Sequence, residues 1–412
     1  MNILVLNAGS SSHKLCLYSI EAGLPDAPLN PDWNAQIDWY PQRQEAVFKV
    51  ETRQGHKLNQ TVEFSSKREI LLQVLKTLWH GDARILDAPT DIDMVGHRVV
   101  HGGETYRESV VVTEEVKEAI AHLSPLAPSH NPVNLEGIKL MENLLGDIPQ
   151  VAVFDTAFHR QMPEVATTYP GPYEWIEQGI QRYGFHGISH QYCTQRAAQL
   201  LGKDMANLRL IICHLGNGGS LTAVKNGHSV DTTMGFTPLD GLMMGTRSGA
   251  VDPGILIHLM RQGYSADQLD QMLNKESGLK GISGVSHDLR EIGEAIRAPH
   301  RKSNAKGTPR AILAQNLYLH RLKSCIGSML MSLGGLDAIV FTAGIGEHST
   351  TIRAAVCDAM AFLEVRLDRH KNNASPVDQD IATQDSNVRV LVVRTQEDWA
   401  IAQDCWALSQ SS

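Results

Sequence analysis

Ile3-Leu4-Val5-Leu6-Asn7-Ala8-Gly9-Ser10-Ser11-Ser12-His13-Lys14-Leu15-Cys16-Leu17-Tyr18 is the stretch on which the fold turns. Two apolar runs, 3–6 and 15–18, flank a small polar one at 8–12, which predicts strand, turn, strand. The turn can be a plain hairpin made of turn-forming residues. It can equally wrap phosphate oxygens, because it offers backbone N–H groups and hydroxyls with little bulk, and Lys14 adds a point charge.

The pattern returns two hundred residues later, as 210–213, 215–219 and 221–224. Laying Asn7 on His214 places Gly9 on Gly216 and Ser12 on Gly219. The echo, His214-Leu215-Gly216-Asn217-Gly218-Gly219-Ser220, favours two phosphate loops in an internally repeated chain. After each hairpin, strand-like runs (94–99 and 151–154, then 338–341 and 388–393) alternate with apolar periodicity at three- and four-residue spacing over 67–79, 134–143, 189–201 and 312–333. A short amphipathic helix is expected at 399–408. This is an α/β pattern, and two such domains facing a cleft would gather ligands at strand ends.

Length agrees, since 412 residues exceed what one core usually holds. Apolar residues at 42% and charged residues at 20% fit an ordinary globular protein. The formal charge of -8, with no basic stripe, argues against a nucleic-acid partner. The densest basic stretch, 297–310, carries Pro299, Gly307 and Pro309 and reads as a solvated loop. No apolar run reaches membrane length, Met1 leads straight into a strand without a signal-peptide pattern, and six scattered cysteines show no Cys-x-x-Cys pair. A cytoplasmic enzyme with free thiols is expected.

Several residues carry chemistry. Gly344-Ile345-Gly346 follows the strand 338–341, but lacks the third glycine of a dinucleotide fingerprint, and no Gly-x-x-x-x-Gly-Lys-Ser/Thr segment exists. Arg98 and Arg247 lie among glycines, a setting suited to a bidentate anion clamp. His130, His186 and His214 each abut an element end beside glycine or proline and are expected to face a ligand, whereas His97, His101, His159 and His190 read as structural. Asp155 after its strand, and Glu397, could act on magnesium through oxygen.

Taken together, the segments 7–12, 96–103, 154–159, 182–187, 214–218 and 231–249 resemble the acetate kinase family of the acetate and sugar kinase, heat-shock cognate and actin superfamily, over nearly the whole chain. The resemblance implies two duplicated ribonuclease H-like domains, 1–156 plus 397–412 and 157–396, the second carrying the nucleotide site and a homodimer interface. It implies reversible, direct in-line transfer of the γ-phosphoryl group of ATP to acetate, with magnesium, or manganese in its place. Asn7, Arg98, His186 and Arg247 would surround the transferred group, with Asn7, Asp155 and Glu397 acting on the metal. Lys14, Ser10, Ser12 and the run His214, Leu215, Gly216, Asn217 and Gly218 would bind nucleotide phosphates. Gly344, Ile345, Gly346, Asp288, Leu289 and Arg290 would hold adenosine, His130 would help bind substrate, and Val100, Phe185 and Pro238 would line the acyl pocket.

The sequence departs from the family at Ser129, where leucine is usual and a longer acyl chain could be admitted, at His13, where an apolar residue is usual, and at Ala250 and Gln396. Propionate or butyrate kinase is therefore the nearest alternative. A non-catalytic actin-like nucleotide binder is a more distant one, disfavoured by Arg98, His186 and Arg247.

Overall fold

The structure, a computed structural model, describes residues 1–9, 12–21, 23–297 and 307–411. Ser10 and most of the basic stretch lie outside the described residues. The chain divides into two compact units, Met1–Ala157 with Gln396–Ser412, and Phe158–Thr395.

In the first unit β1 (Asn2–Ala8), β2 (Ser12–Ser19), β3 (Trp33–Tyr40), β4 (Glu45–Thr52), β5 (Lys57–Glu63), β6 (Met94–Val99), β7 (Val110–Val111) and β8 (Gln150–Phe154) form one sheet of order β5-β4-β3-β2-β1-β6-β8-β7. In the second, β9 (Arg209–Leu215), β10 (Gly219–Lys225), β11 (His228–Thr232), β12 (Ala338–Thr342), β13 (Gln379–Asp380) and β14 (Arg389–Val392) run β11-β10-β9-β12-β14-β13. Both contain the same core. Three antiparallel strands (β3-β2-β1 and β11-β10-β9) continue through two parallel ones (β6-β8 and β12-β14), and one antiparallel strand of two residues (β7 and β13) closes that edge of each sheet. This is the duplicated ribonuclease H-like arrangement that the family resemblance implies.

The parallel strands read as unbroken apolar runs because both faces are covered, and every residue of β8 and β12 is buried. Each fully buried Val, Leu or Ile there contributes about 1.5–3 kcal/mol. By contrast β3 alternates, with Trp33, Ala35, Ile37 and Trp39 turned inward.

All five expected helices differ from their sequence patterns at an end, and two of the differences bear on the site. Asn131–Leu145 begins three residues before the periodic run, because Pro132 is tolerated in a first turn, where no intrahelical N–H bond is lost. Glu397–Gln410 begins two residues early, so Glu397 is its first residue. That helix lies across β6 so closely that a Cβ on Gly96 would stand 2.6 Å from Ile401 Cγ2 and 2.7 Å from Cys405 Sγ. Glycine at 96 is what lets helix and strand touch, and Trp399 packs beside Tyr18 at 5.3 Å between ring centroids. Among the described residues no helix is long and apolar enough to cross a membrane.

Candidate active site

In the first unit the β1–β2 hairpin pairs Asn7 with Lys14, and Gly9 N–H donates to the Ser12 carbonyl at 2.9 Å to close the turn. Next to β1, β6 brings Arg98 to Asp155, which follows β8, in an ion pair whose carboxylate is almost wholly buried. The helix Glu397–Gln410 adds Glu397 and Asp398 from its first turn, where its dipole favours negative charge. Burial opposes the Arg98 charge, yet Asp155, Glu397 and Asp398 more than offset it and raise its pKa above the ordinary value. The same burial raises Glu397 and Asp398, while Arg98 and Lys14 pull both back.

Asp398 was not singled out in the sequence. It bonds the Asn7 side chain, accepts from Cys16 Sγ at 3.7 Å, and keeps Oδ1 buried without a hydrogen-bond partner. Asp155, Glu397 and Asp398 are hard carboxylate donors of the kind magnesium takes. Among the described residues no group of three or more His, Cys, Asp and Glu forms a metal cage. Magnesium needs none, since it retains waters and binds one or two carboxylates together with substrate phosphates.

His130 stands at the N-cap position of the helix Asn131–Leu145, and two asparagines in its first turn, also missed, tie the unit's strand ends together. Asn134 accepts from Val100 N–H at 3.1 Å and donates to the Ala8 carbonyl at 2.9 Å, while Asn131 accepts from His101 N–H at 3.1 Å. Asn-Pro-x-Asn at a helix start, with the proline in the first turn, is the signal that could have found them. Val100 is buried and Ser129 exposed.

The second unit repeats the hairpin with one residue fewer in its turn. Four residues separate Ala8 from its partner His13, and three separate Leu215 from Gly219. The equivalence of Asn7 and His214 therefore fails beyond the turn: Ser220, not Leu221, stands where Lys14 stands.

His186 precedes the helix Gly187–Leu201 with φ +58°, a left-handed conformation that costs a non-glycine residue roughly 1–3 kcal/mol. Its ring stacks on His214 at 4.2 Å between centroids. A Cβ on Gly218 would lie 3.6 Å from both His186 Nε2 and Arg247 Nη1, so turn, imidazole and guanidinium meet at one spot. Arg247 donates to the Pro238 carbonyl at 3.2 Å, burial lowers its pKa, and no carboxylate among the described residues pairs with it. Behind it the chain is packed without slack: Gly278, at φ +61°, would place a Cβ 2.2 Å from the Met244 carbonyl oxygen and 2.7 Å from that of Arg247.

The other segments expected to hold nucleotide approach the same turn. Gly216 would put a Cβ 3.7 Å from Ala343 Cβ, beside Gly344, Ile345 and Gly346, and Gly245 would reach within 3.3 Å of the carbonyl of His287, next to Asp288. Asp288 caps the helix Leu289–Arg297 by accepting from Arg290 N–H at 2.8 Å, and Arg290 folds back on it. Arg353, fully buried and unremarked in the sequence, donates to the carbonyls of Gly346 and Glu347 and pins the helix Ala343–His348. Phe185 is buried, its carbonyl accepting from His159 Nε2–H at 3.0 Å.

The Acetokinase family profile matches residues 2–403. An acetate kinase of Acaryochloris marina is 65% identical over 406 residues, 98% of this chain and 99% of its own. A solved acetate kinase of Porphyromonas gingivalis superposes with a TM-score of 0.89 at 39% identity, covering 99% of both chains. A propionate kinase of Francisella tularensis gives 0.86 at 37%, covering 98% of both. With residues 2–403 matched by the family profile and both relatives and solved structures covered almost end to end, the chain belongs to the acetokinase family.

Proposed function

We propose that this enzyme is an acetate kinase, transferring the γ-phosphoryl group of ATP reversibly to acetate to give acetyl phosphate and ADP. The observation that carries the reading is the meeting of His186 Nε2, Arg247 Nη1 and the Gly218 turn, with a buried guanidinium that no carboxylate in the described residues claims. A carboxylate oxygen of acetate attacks the γ-phosphorus in line, and the bond to the β-bridging oxygen breaks, its electrons leaving with ADP. Acetate is already ionised at neutral pH, so no general base is needed. Negative charge spreads over the equatorial oxygens, and donors prepositioned there lower the transition state more than the bound reactants.

Arg98, Arg247, His186 and Asn7 serve as those donors, and His130 helps hold acetate. Lys14, Ser12 and the turn from His214 to Gly218 take the nucleotide phosphates, while Asp288 to Arg290 and Gly344 to Gly346 take adenosine. Asp155 and Glu397, with Asn7, would hold magnesium, which supplies neutralisation of phosphate charge when bound. Six free cysteines suit the reducing cytoplasm. A homodimer is supported by the helix Pro253–Arg261, which buries none of its residues although Ile255, Ile257 and Met260 are each about half exposed.

Incubation with magnesium ATP and acetate, propionate or butyrate, with hydroxylamine trapping, tests the reading. Acetyl hydroxamate is expected to form fastest. A propionyl product formed faster would favour the sibling activity, since one methylene is worth only about 1–3 kcal/mol. No hydroxamate from any acid would overturn the proposal.

A further inference from the structure

Behind His186 lies a row of side chains that the reaction as described does not use. His190, one turn along the helix Gly187–Leu201, is fully buried, with Nε2 2.7 Å from Ser220 Oγ. The same hydroxyl lies 2.9 Å from His186 Nδ1. Ser220 is itself fully buried on β10, opposite His214 in the ladder with β9. His190 Nδ1, by contrast, is buried with no hydrogen-bond partner.

These positions order the protons. Burial, with His159 and His214 nearby, holds the pKa of His190 well below the ordinary value, so the ring is neutral and carries one N–H. On Nδ1 that N–H would be a buried donor with no acceptor, whereas on Nε2 it meets Ser220 Oγ. A hydroxyl has one proton to give and lone pairs to spare. Having accepted from His190, Ser220 gives its proton to His186 Nδ1, and a neutral imidazole whose Nδ1 accepts keeps its own proton on Nε2.

We infer that Ser220 is a positioning residue: braced by His190, it sets His186 in the Nε2–H form, so that the edge shared with Arg247 presents a donor and not a lone pair. The functional consequence rests on the role proposed for His186 above. A lone pair aimed at a phosphoryl oxygen would repel the charge that the transition state accumulates.

The test is nuclear magnetic resonance of histidine-labelled protein, the His186 ring signals being assigned by their loss in His186→Gln. The wild type is expected to show the Nε2–H form, and Ser220→Ala to shift it toward Nδ1–H. Ser220→Ala should also lower kcat about tenfold with KM for acetate and ATP little changed, and Ser220→Thr, which keeps the hydroxyl, should recover most of it. An Nδ1–H ring in the wild type, an unmoved tautomer in Ser220→Ala, or a threonine variant as slow as the alanine one would each overturn the assignment. Because the resonances need no turnover, an enzyme inactive on every carboxylate would overturn the proposed reaction and leave this assignment standing.

Discussion

Arg98 and Arg247 look alike in sequence, each a single cation among glycines, but the structure gives them different partners. Arg98 shares a buried ion pair with Asp155, while Arg247 has the Pro238 carbonyl and the Met244 sulfur within bonding distance. Arg247→Ala should therefore lower the hydroxamate-forming rate about a hundredfold or more, as loss of a transition-state donor does, with little change in unfolding free energy. Arg98→Ala should lower the rate similarly and also destabilise the protein by about 3–5 kcal/mol in denaturant titration, because it leaves a buried carboxylate without its counter-charge. Near-normal rates in both variants would refute the clamp. Both arginines stand out in the sequence by their glycine context. Asp398, Asn131 and Arg353 were not, since a carboxylate in a helix's first turn, an asparagine at a helix start and an arginine in a helix all have ordinary surface explanations that only burial removes.

Among elements, strands and hairpins were the most legible. β12 lies at residues 338–342 where the sequence predicts 338–341, because an apolar run bounded by polar and glycine residues has few other ways to fold. β3, β4 and β5 escaped notice although β3 alternates cleanly, its inward tryptophans and outward polar residues being the signature of a half-buried strand. The one-residue contraction of the second hairpin was invisible too: a run of Gly218, Gly219 and Ser220 fits either register, and only the ladder decides between them. The helix Pro253–Arg261 is the element with the plainest unmet requirement, being apolar over most of its circumference, with His258 and Arg261 on the remaining side, yet unburied. If a second copy covers it, Ile257→Glu should move the protein from dimer to monomer in sedimentation velocity at micromolar concentration. A wild type that sediments as a monomer, or a variant that stays dimeric, would exclude this helix from the interface.

For the whole molecule, buried neutral histidines set the response to acid. His13, His97 and His159 are all buried, and desolvation lowers each pKa to about 4 from the ordinary 6.5. Above pH 6.5 both folded and unfolded states are neutral at these sites. Below it the unfolded chain takes up protons that the folded one refuses, so stability is lost as pH falls from about 6.5 toward 4, by up to about 3 kcal/mol per histidine. His13 isolates the effect: neither ring nitrogen has a hydrogen-bond partner and the ring meets Trp39 edge-on, so it behaves as an apolar residue. His13→Leu should flatten the dependence of unfolding free energy on pH between 7 and 5, and an unchanged slope would refute this origin.

The last helix also orders events in time. The first unit is begun at Met1 but closed only by residues 396–412, after the whole of Phe158–Thr395 has been made. At about 5–20 residues per second, that interval is on the order of ten seconds or more of ribosomal synthesis. During it, β6 lacks the cover that Gly96 was shaped to receive, and Arg98 lacks Glu397 and Asp398. A chain that ends before Glu397 therefore leaves β6 uncovered and Arg98 without two of its carboxylates, and truncation there is expected to give a first unit that limited proteolysis cuts faster than in the full chain.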